Sequence, residues 1–469
     1  MKKAFFLLCM AAGLVSCAKD ILDTEEDNTQ KVGVPMTFNV TVLETKATKT
    51  DWASGDKIYV FFNGLETKYL ILTYNGSSWT NTSGGGALLD TDFSGLGTKT
   101  LTAVHFPVTV DVAYADSKFS FTSGGKPVYN YYLFKTGTAY TVDGTTVTAT
   151  LSMGKPADMV QIHVAGIQAN VADYTFGCSK IKPVACASVG TDGAITEDVL
   201  QAGARLSGFA DSDGGVFAGR LVYPGTSKDY TFTVASNTKI YTLTRASKAL
   251  TAGMMYNFPA LPASSDANWT VQNASDLYVD LGITVGGKKI YWAKCNLGAA
   301  TETDYGDYFA WGETTGYNEG KTNFASNWSN YYFGTQSSFT KYTGSDYTVL
   351  QKEDDAAYAA LGGKFRMPTK AEIDALLALS KTWVANYNGS GIDGYTFTGN
   401  GNTLFLPAAG GRLNADLTNG GSRGCYWSSS LKTDSSYKAS SWDLGFSSGG
   451  ASAYGVNRYF GFSVRPVSD

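Results

Sequence analysis

The sequence predicts a mainly β protein, and three observations carry that prediction. Apolar residues recur with a period of two over short runs, as on half-buried strands. Asn-Gly and Asp-Gly pairs fall between such runs, where hairpin turns need positive φ. The 53 glycines, 29 tyrosines and 25 phenylalanines favour strands and turns over helices. At 469 residues the chain has room for about two to four domains of ~150 residues.

The elements follow in order. MKKAFFLLCMAAGLVSC begins with two lysines, continues with an apolar run from Ala4 to Leu14 and ends in small residues, the pattern of a secretory leader over 1–16. Leu14-Val15-Ser16-Cys17 matches the bacterial lipobox. Cys17 is therefore expected to be acylated and held in outer-membrane lipid, where acyl chains anchor a protein without a spanning helix. Residues 17–35 are largely polar and acidic and are expected to form a solvated tether. The formal charge is −4, about −6 once Lys2 and Lys3 leave. That balance gives no electrostatic footprint for nucleic acid.

From 36 to 152 the grammar is that of a sandwich. MTFNVTV places Met36, Phe38, Val40 and Val42 on one face, and KIYVFF and KYLILTY follow, the latter running into an Asn75-Gly76 turn. A second hairpin is expected around Asp143-Gly144. The break at Met153-Gly154-Lys155-Pro156 suggests a second sub-domain over 153–262, with a hairpin near Asn237. TKATKTDWASGDKIYVFF and the closing LTAGMMYNF resemble the fimbrillin-like lipoproteins of Bacteroidetes, subunits of surface pili. The resemblance implies two transthyretin-like β-sandwich sub-domains and partnership with other pilus subunits by strand exchange. One feature departs from that family: many such pilins are trimmed by an Arg-specific protease near the first strand, and this chain has no Arg before Arg205.

Residues 263–274, ASSDANWTVQNA, read as a linker. Beyond it, VDLGITVGGKKIYWAKCNLGA, DYGDYFAWGETT, GGKFRMPTKAEIDALL, LFLPAAGGR, CYWSSS and GFSVRPV occur in the order found in the Fibrobacter succinogenes major paralogous domain. That resemblance covers 275–469 and implies a C-type-lectin-like mixed α/β domain. Independently, Thr369 and Glu372 form a T-x-x-E capping box that predicts a helix over 370–380. LQKEDDAAYAALGG predicts a second helix, with acids early and glycines at its end.

Six cysteines are present. Cys9 leaves with the leader and Cys17 takes lipid. In an exported chain the remaining four permit disulfides, and sequence separation groups Cys178 with Cys186 and Cys295 with Cys425. For the second pair, a bond or two buried thiols are the alternatives. The two histidines, His105 and His163, sit in strand-like text as packing residues. Residues 275–469 contain none, which removes the commonest general base and most zinc geometries. Asp304, Asp307 and Glu313 could gather around calcium or tie loop backbone around Trp311. Arg366 and Arg465 are expected in structural pairs, with Asp354 or Asp355 as a partner. No catalytic residue, metal site or cofactor is assigned, and the chain is expected not to be an enzyme.

The text from Tyr426 onward mixes aromatic rings with Ser, Gly and Asn, as evolved binding loops do. It is similar to the terminal variable segments of lectin-like proteins diversified for ligand binding. The resemblance implies a frame of Trp427, Leu444, Phe446, Phe462 and Val464. It implies display positions at Tyr437, Trp442, Ser447, Ser448, Tyr454, Asn457, Arg458 and Tyr459. The expectation is a surface-exposed lipoprotein of the outer membrane, an adhesin or pilus tip subunit with an unknown glycan or protein ligand. A structural pilin or pilus anchor with a passive C-terminal domain is the alternative, and a glycan-active enzyme is a third.

Overall fold

A computed structural model describes residues 33–43, 52–129, 132–156, 158–210, 214–433 and 439–469. The leader 1–16, Cys17 and the tether up to residue 32 lie outside the described residues, as does Tyr437. The protein is mainly β, two sandwiches followed by a mixed α/β module.

Seven strands build the first sheet, and Lys57–Phe62 lies inside it between Thr100–His105 and Tyr69–Tyr74. After Lys57, IYVFF is apolar throughout because both of its faces are covered; Ile58, Tyr59, Val60, Phe61 and Phe62 are all buried. Thr37–Leu43 closes one edge in parallel with Thr146–Ser152, Phe38 opposite Val147. Phe38 is buried and Met36, Val40 and Val42 pack against the same core, as the period-two pattern predicts.

The facing sheet contains Asp111–Ala115, Lys118–Ser123, Val184–Gly190 and Ile195–Val199. The Phe61 and Phe119 ring centroids meet 4.6 Å apart across the two layers. Two of these strands come from beyond residue 153, and Met153, Met159 and Cys186 belong to the first core. The Met-Gly-Lys-Pro break therefore joins strands of two different sheets, yet the chain beyond it still contributes Val184–Gly190 and Ile195–Val199 to the first sandwich. A local turn signal carries no information about which core the following strands join.

In the second sandwich, Met159–Ala165 lies between Gly214–Leu221, antiparallel, and Met255–Phe258, parallel. Phe176 stacks on Phe217 at 5.2 Å, and Phe232 meets Phe258 at 4.8 Å. Residues 263–274 are not a free linker. Trp269 is fully buried in this core, its indole N–H donating to the Pro259 carbonyl at 3.2 Å. Thr270–Asn273 then adds a strand to Lys239–Ala249, Thr270 opposite Thr242. Small polar neighbours disguise the segment, and the one large apolar side chain decides its fate.

The C-terminal module contains three-stranded sheets and two short helices. Lys370–Leu377 starts at the predicted capping box: Thr369 Oγ1 accepts from the Glu372 N–H at 3.3 Å, and Glu372 Oε2 accepts from the Thr369 N–H at 2.8 Å. Ile373 and Leu376 are buried on its inner face. Ala356–Leu361 begins at Asp355, whose carboxylate accepts from the Tyr358 N–H at 3.0 Å, and ends at Gly362 with φ 66°. This helix is shorter than its sequence run suggests, because Lys352–Asp354 forms a separate 3-10 turn. Among the described residues no helix is long and apolar enough to cross a membrane.

Candidate functional site

Two regions of the C-terminal module concern function: the face that docks on the second sandwich and the outer sheet carrying the expected display positions. At the docking face, Gln201 is buried and reaches across from the sandwich. Its amide donates to the Gly312 carbonyl at 2.6 Å and to Asp354 at 3.0 Å, and its oxygen accepts from the Thr314 N–H at 2.9 Å. Arg205, also buried, spreads its fork over three carbonyls: Tyr358 at 3.1 Å, Thr233 at 3.0 Å, and Ala360. Burial pushes its guanidinium down from the usual arginine range, yet an arginine stays charged at neutral pH.

Asp354 completes this set, accepting from Lys341 at 2.6 Å and from the Tyr342 hydroxyl at 2.5 Å. Burial raises its carboxyl, against the pull of Lys341. Sequence reasoning missed Gln201 and Arg205 as docking residues. The available signal was Arg205 as the first arginine of the chain, set among small residues in QAGARL.

The outer sheet consists of Arg423–Leu431, Ser440–Ser447 and Gly450–Asn457. Strand alternation and the register Asp443 opposite Tyr454, Trp442 opposite Gly455 divide the expected display positions. Tyr454 and Ser447 share one face. Trp442 and Asn457 share the other.

Trp442 is half-buried, with the ammonium groups of Lys370 and Lys432 at 4.7 and 4.4 Å from its ring. Tyr454 is 45% exposed, and its ring covers Gly445 so closely that a Cβ there would meet it at 2.7 Å. Ser448 is exposed in the turn. The frame positions Trp427, Leu444, Phe446, Phe462 and Val464 are all buried.

Arg458 and Tyr459 are not display positions. Both are buried, because the chain leaves Gly450–Asn457 and turns into the aromatic core. Arg458 donates to the Tyr342 carbonyl at 2.8 Å and lies over Phe339 and Trp311 at 4.3 and 5.1 Å. Tyr459 packs edge-on against Trp328 at 4.8 Å. A run of polar and aromatic letters does not reveal where a strand ends and the chain turns inward.

On the Tyr454 face, Asp443 is 1% exposed, and among the described residues its carboxylate meets only its own N–H, while the buried Ser441 hydroxyl has no partner. Burial pushes the Asp443 carboxyl up to about 7, with Arg423 opposing the shift.

The remaining candidates have separate structural tasks. Asp304 accepts the N–H groups of Ala300 and Thr301, Asp307 those of Tyr308 and Asn318, and Glu313 pairs with Lys321 at 2.5 Å. Among the described residues no group of three or more His, Cys, Asp or Glu lies close enough to hold a metal ion. Arg366 forks onto Glu372 at 2.6 and 2.8 Å rather than bonding Asp354 or Asp355. Asp355 is consumed by the backbone of Tyr358 and Met367. Arg465 holds Asn296 and the carbonyls of Ala293 and Lys294. Cys178, Cys186, Cys295 and Cys425 are all free thiols. Cys178 and Cys186 lie in different cores, and the expected Cys295–Cys425 bond is not formed.

No family model and no curated protein matches the chain. Among solved structures, a fimbrial protein from Bacteroides ovatus is 12% identical, covering 93% of this chain and 100% of its own length, with a TM-score of 0.24. A candidate cell adhesion protein from Bacteroides ovatus is 14% identical over 52% of this chain and 97% of its own, TM-score 0.27. Another from Bacteroides fragilis is 11% identical over 51% and 95%, TM-score 0.25. At such scores the likeness carries no argument about this chain.

Proposed function

We propose that the chain is a surface adhesin or pilus tip subunit that presents a lectin-like, ligand-binding C-terminal module on a fimbrillin-like stem, lipid-anchored through Cys17. The observation that carries this reading is the docking of the module. Gln201 and Arg205 lock it to the second sandwich, while the strands bearing Trp442 and Tyr454 contribute none of those contacts. A module fixed at one end and open at the other suits presentation, because a preformed surface loses less entropy on binding.

A bulky domain after Met255–Phe258 also obstructs continued stacking by strand exchange. One copy per fibre, at the distal end, follows from this reading. The test pairs two measurements on cells expressing the full chain. Adhesion to a mucin-coated surface is expected, and Cys17→Ser should release the protein and abolish it. Immunogold against 275–469 should label fibre ends; labelling along fibre lengths, or adhesion unchanged by Cys17→Ser, would overturn the assignment.

A further inference from the structure

Between the second sandwich and the C-terminal module lies an open groove of about 800 Å³, within the size range of ligand sites. Its lining carries Lys288, Lys289 and Lys364 against a single acid, Asp469. With Asp280, which pairs with Lys289, the side chains leave a local balance of about +1 in a chain whose formal charge is −4. The floor is aromatic: the rings of Tyr278 and Tyr291 lie 4.6 Å apart, and the Lys289 ammonium stands 5.3 Å from the Tyr291 ring. The opposite wall offers the small polar side chains of Asn237, Thr238 and Ser275, all exposed.

We propose that this groove binds an acidic saccharide, a sugar chain bearing carboxylate or sulfate groups. The tyrosine faces suit the C–H side of a pyranose ring. The hydroxyl and amide side chains suit its hydroxyls. Lysine ammonium groups on flexible stems meet an acid without demanding one geometry.

The lysines already hold acids of their own. Lys288 bonds Asp469 at 2.7 Å and Lys289 bonds Asp280 at 2.6 Å, with lysine side chains 70% and 50% exposed. Pairs that exposed are weakly held and screened by salt, so a ligand acid can take either place. An acidic peptide would find the same charge but gain nothing from the paired tyrosine faces.

This inference rests on the reading of the C-terminal module as the ligand-bearing part, and the experiment separates the two. The full chain is titrated with a galacturonic-acid tetrasaccharide, its methyl ester, a sulfated galactan tetrasaccharide and its desulfated form. At least one acidic probe should bind ten-fold or more tighter than its neutral form, and more weakly as salt rises. Binding of one acidic probe alone would identify the acid as carboxylate or sulfate; binding of both would mean that charge alone is read. A Lys288→Gln/Lys364→Gln pair and, separately, Tyr291→Ala should each weaken binding ten-fold or more. Lys118→Gln, at an exposed lysine of the first sandwich, should leave it unchanged.

The groove assignment fails if neither acidic probe binds, if the neutral forms bind equally, or if the groove variants bind as the parent does. Cells that still adhere with the lysine pair replaced would retain the adhesin reading while losing the groove as its contact. Saccharide binding by a chain that supports no adhesion would do the reverse.

Discussion

Two aspartates in one module meet burial in opposite ways. Asp355, at the docking face, is buried, but its carboxylate accepts from the Tyr358 N–H at 3.0 Å and the Met367 N–H at 2.8 Å. Asp443, in the outer sheet, is buried, and among the described residues its carboxylate meets only its own N–H. Burial raises both carboxyls, to about 6 and about 7. The difference is what each environment gives back: at Asp355 two neighbouring N–H groups replace the lost water, and at Asp443 only its own N–H does. The docking face is therefore built to hold one arrangement, whereas the outer sheet carries a cost that protonation or local opening relieves.

The largest effect should come from Arg205, which donates to the Tyr358 and Ala360 carbonyls across the docking face and to the Thr233 carbonyl of its own sandwich. Arg205→Ala leaves those acceptors dry and a void beside Gly362, whose neighbourhood the guanidinium fills. A loss of about 4 kcal/mol follows from charged hydrogen bonds and cavity together. Urea unfolding measures it, and limited proteolysis should release the C-terminal module early. A loss under ~1 kcal/mol would show that the docking face is not what fixes the module.

Asp355→Ala comes next. It removes the helix cap and the anchor of the Met367 N–H, with an expected loss of about 3 kcal/mol. The same substitution at Asp443 removes no bond to another residue, so a comparable loss there would break the contrast.

For Asp443 the informative change is Asp443→Asn, read against pH. The folded carboxyl sits at about 7, above its usual 3.8, so the folded state binds more protons than the unfolded state between those values. Stability owed to this group is complete below about pH 4, declines as pH rises to about 7, and is flat beyond. Asn carries no such charge. Asp443→Asn should match the parent near pH 4 and exceed it by a few kcal/mol at pH 8. Urea midpoints across pH 4–8 check this; parallel curves for the two proteins would mean that the carboxylate has found a partner.

The sequence showed one side of this contrast better than the other. The Thr369 and Glu372 cap was legible because its four residues are local, and KIYVFF because its pattern needs no distant partner. Trp269 was hidden because its polar neighbours speak for a linker and only the assembled core explains it. Arg458 and Tyr459 belonged to a run whose composition suits a surface, and the inward turn depends on Trp311, Phe339 and Tyr342, more than a hundred residues away for all three. Gln201 was hidden for the same reason, and Arg205 was marked only as the first arginine of the chain. Their cross-module partners lie on another domain, and a residue defined by a docking face carries no local periodicity.

The smallest effect is expected at the cysteines, and it decides what kind of rigidity the module has. Cys295 is half-buried just after Lys288–Ala293, and Cys425 is buried within Arg423–Leu431; both are free thiols. Burial pushes the Cys425 thiol up to about 12, which leaves it a poor nucleophile for exchange at neutral pH. A bond between the two would close a loop of about 130 residues and contribute roughly 4–5 kcal/mol in the chain-entropy model, as much as Arg205. Without it, the module rests on packing and on the partnered polar groups of its docking face. Unfolding with and without reductant should therefore give the same midpoint, and non-reducing peptide mapping should find both thiols free. A drop on reduction of more than ~2 kcal/mol would replace the polar network with a covalent tie as the source of order, and Arg205→Ala would then be expected to cost far less in the oxidised protein than in the reduced one.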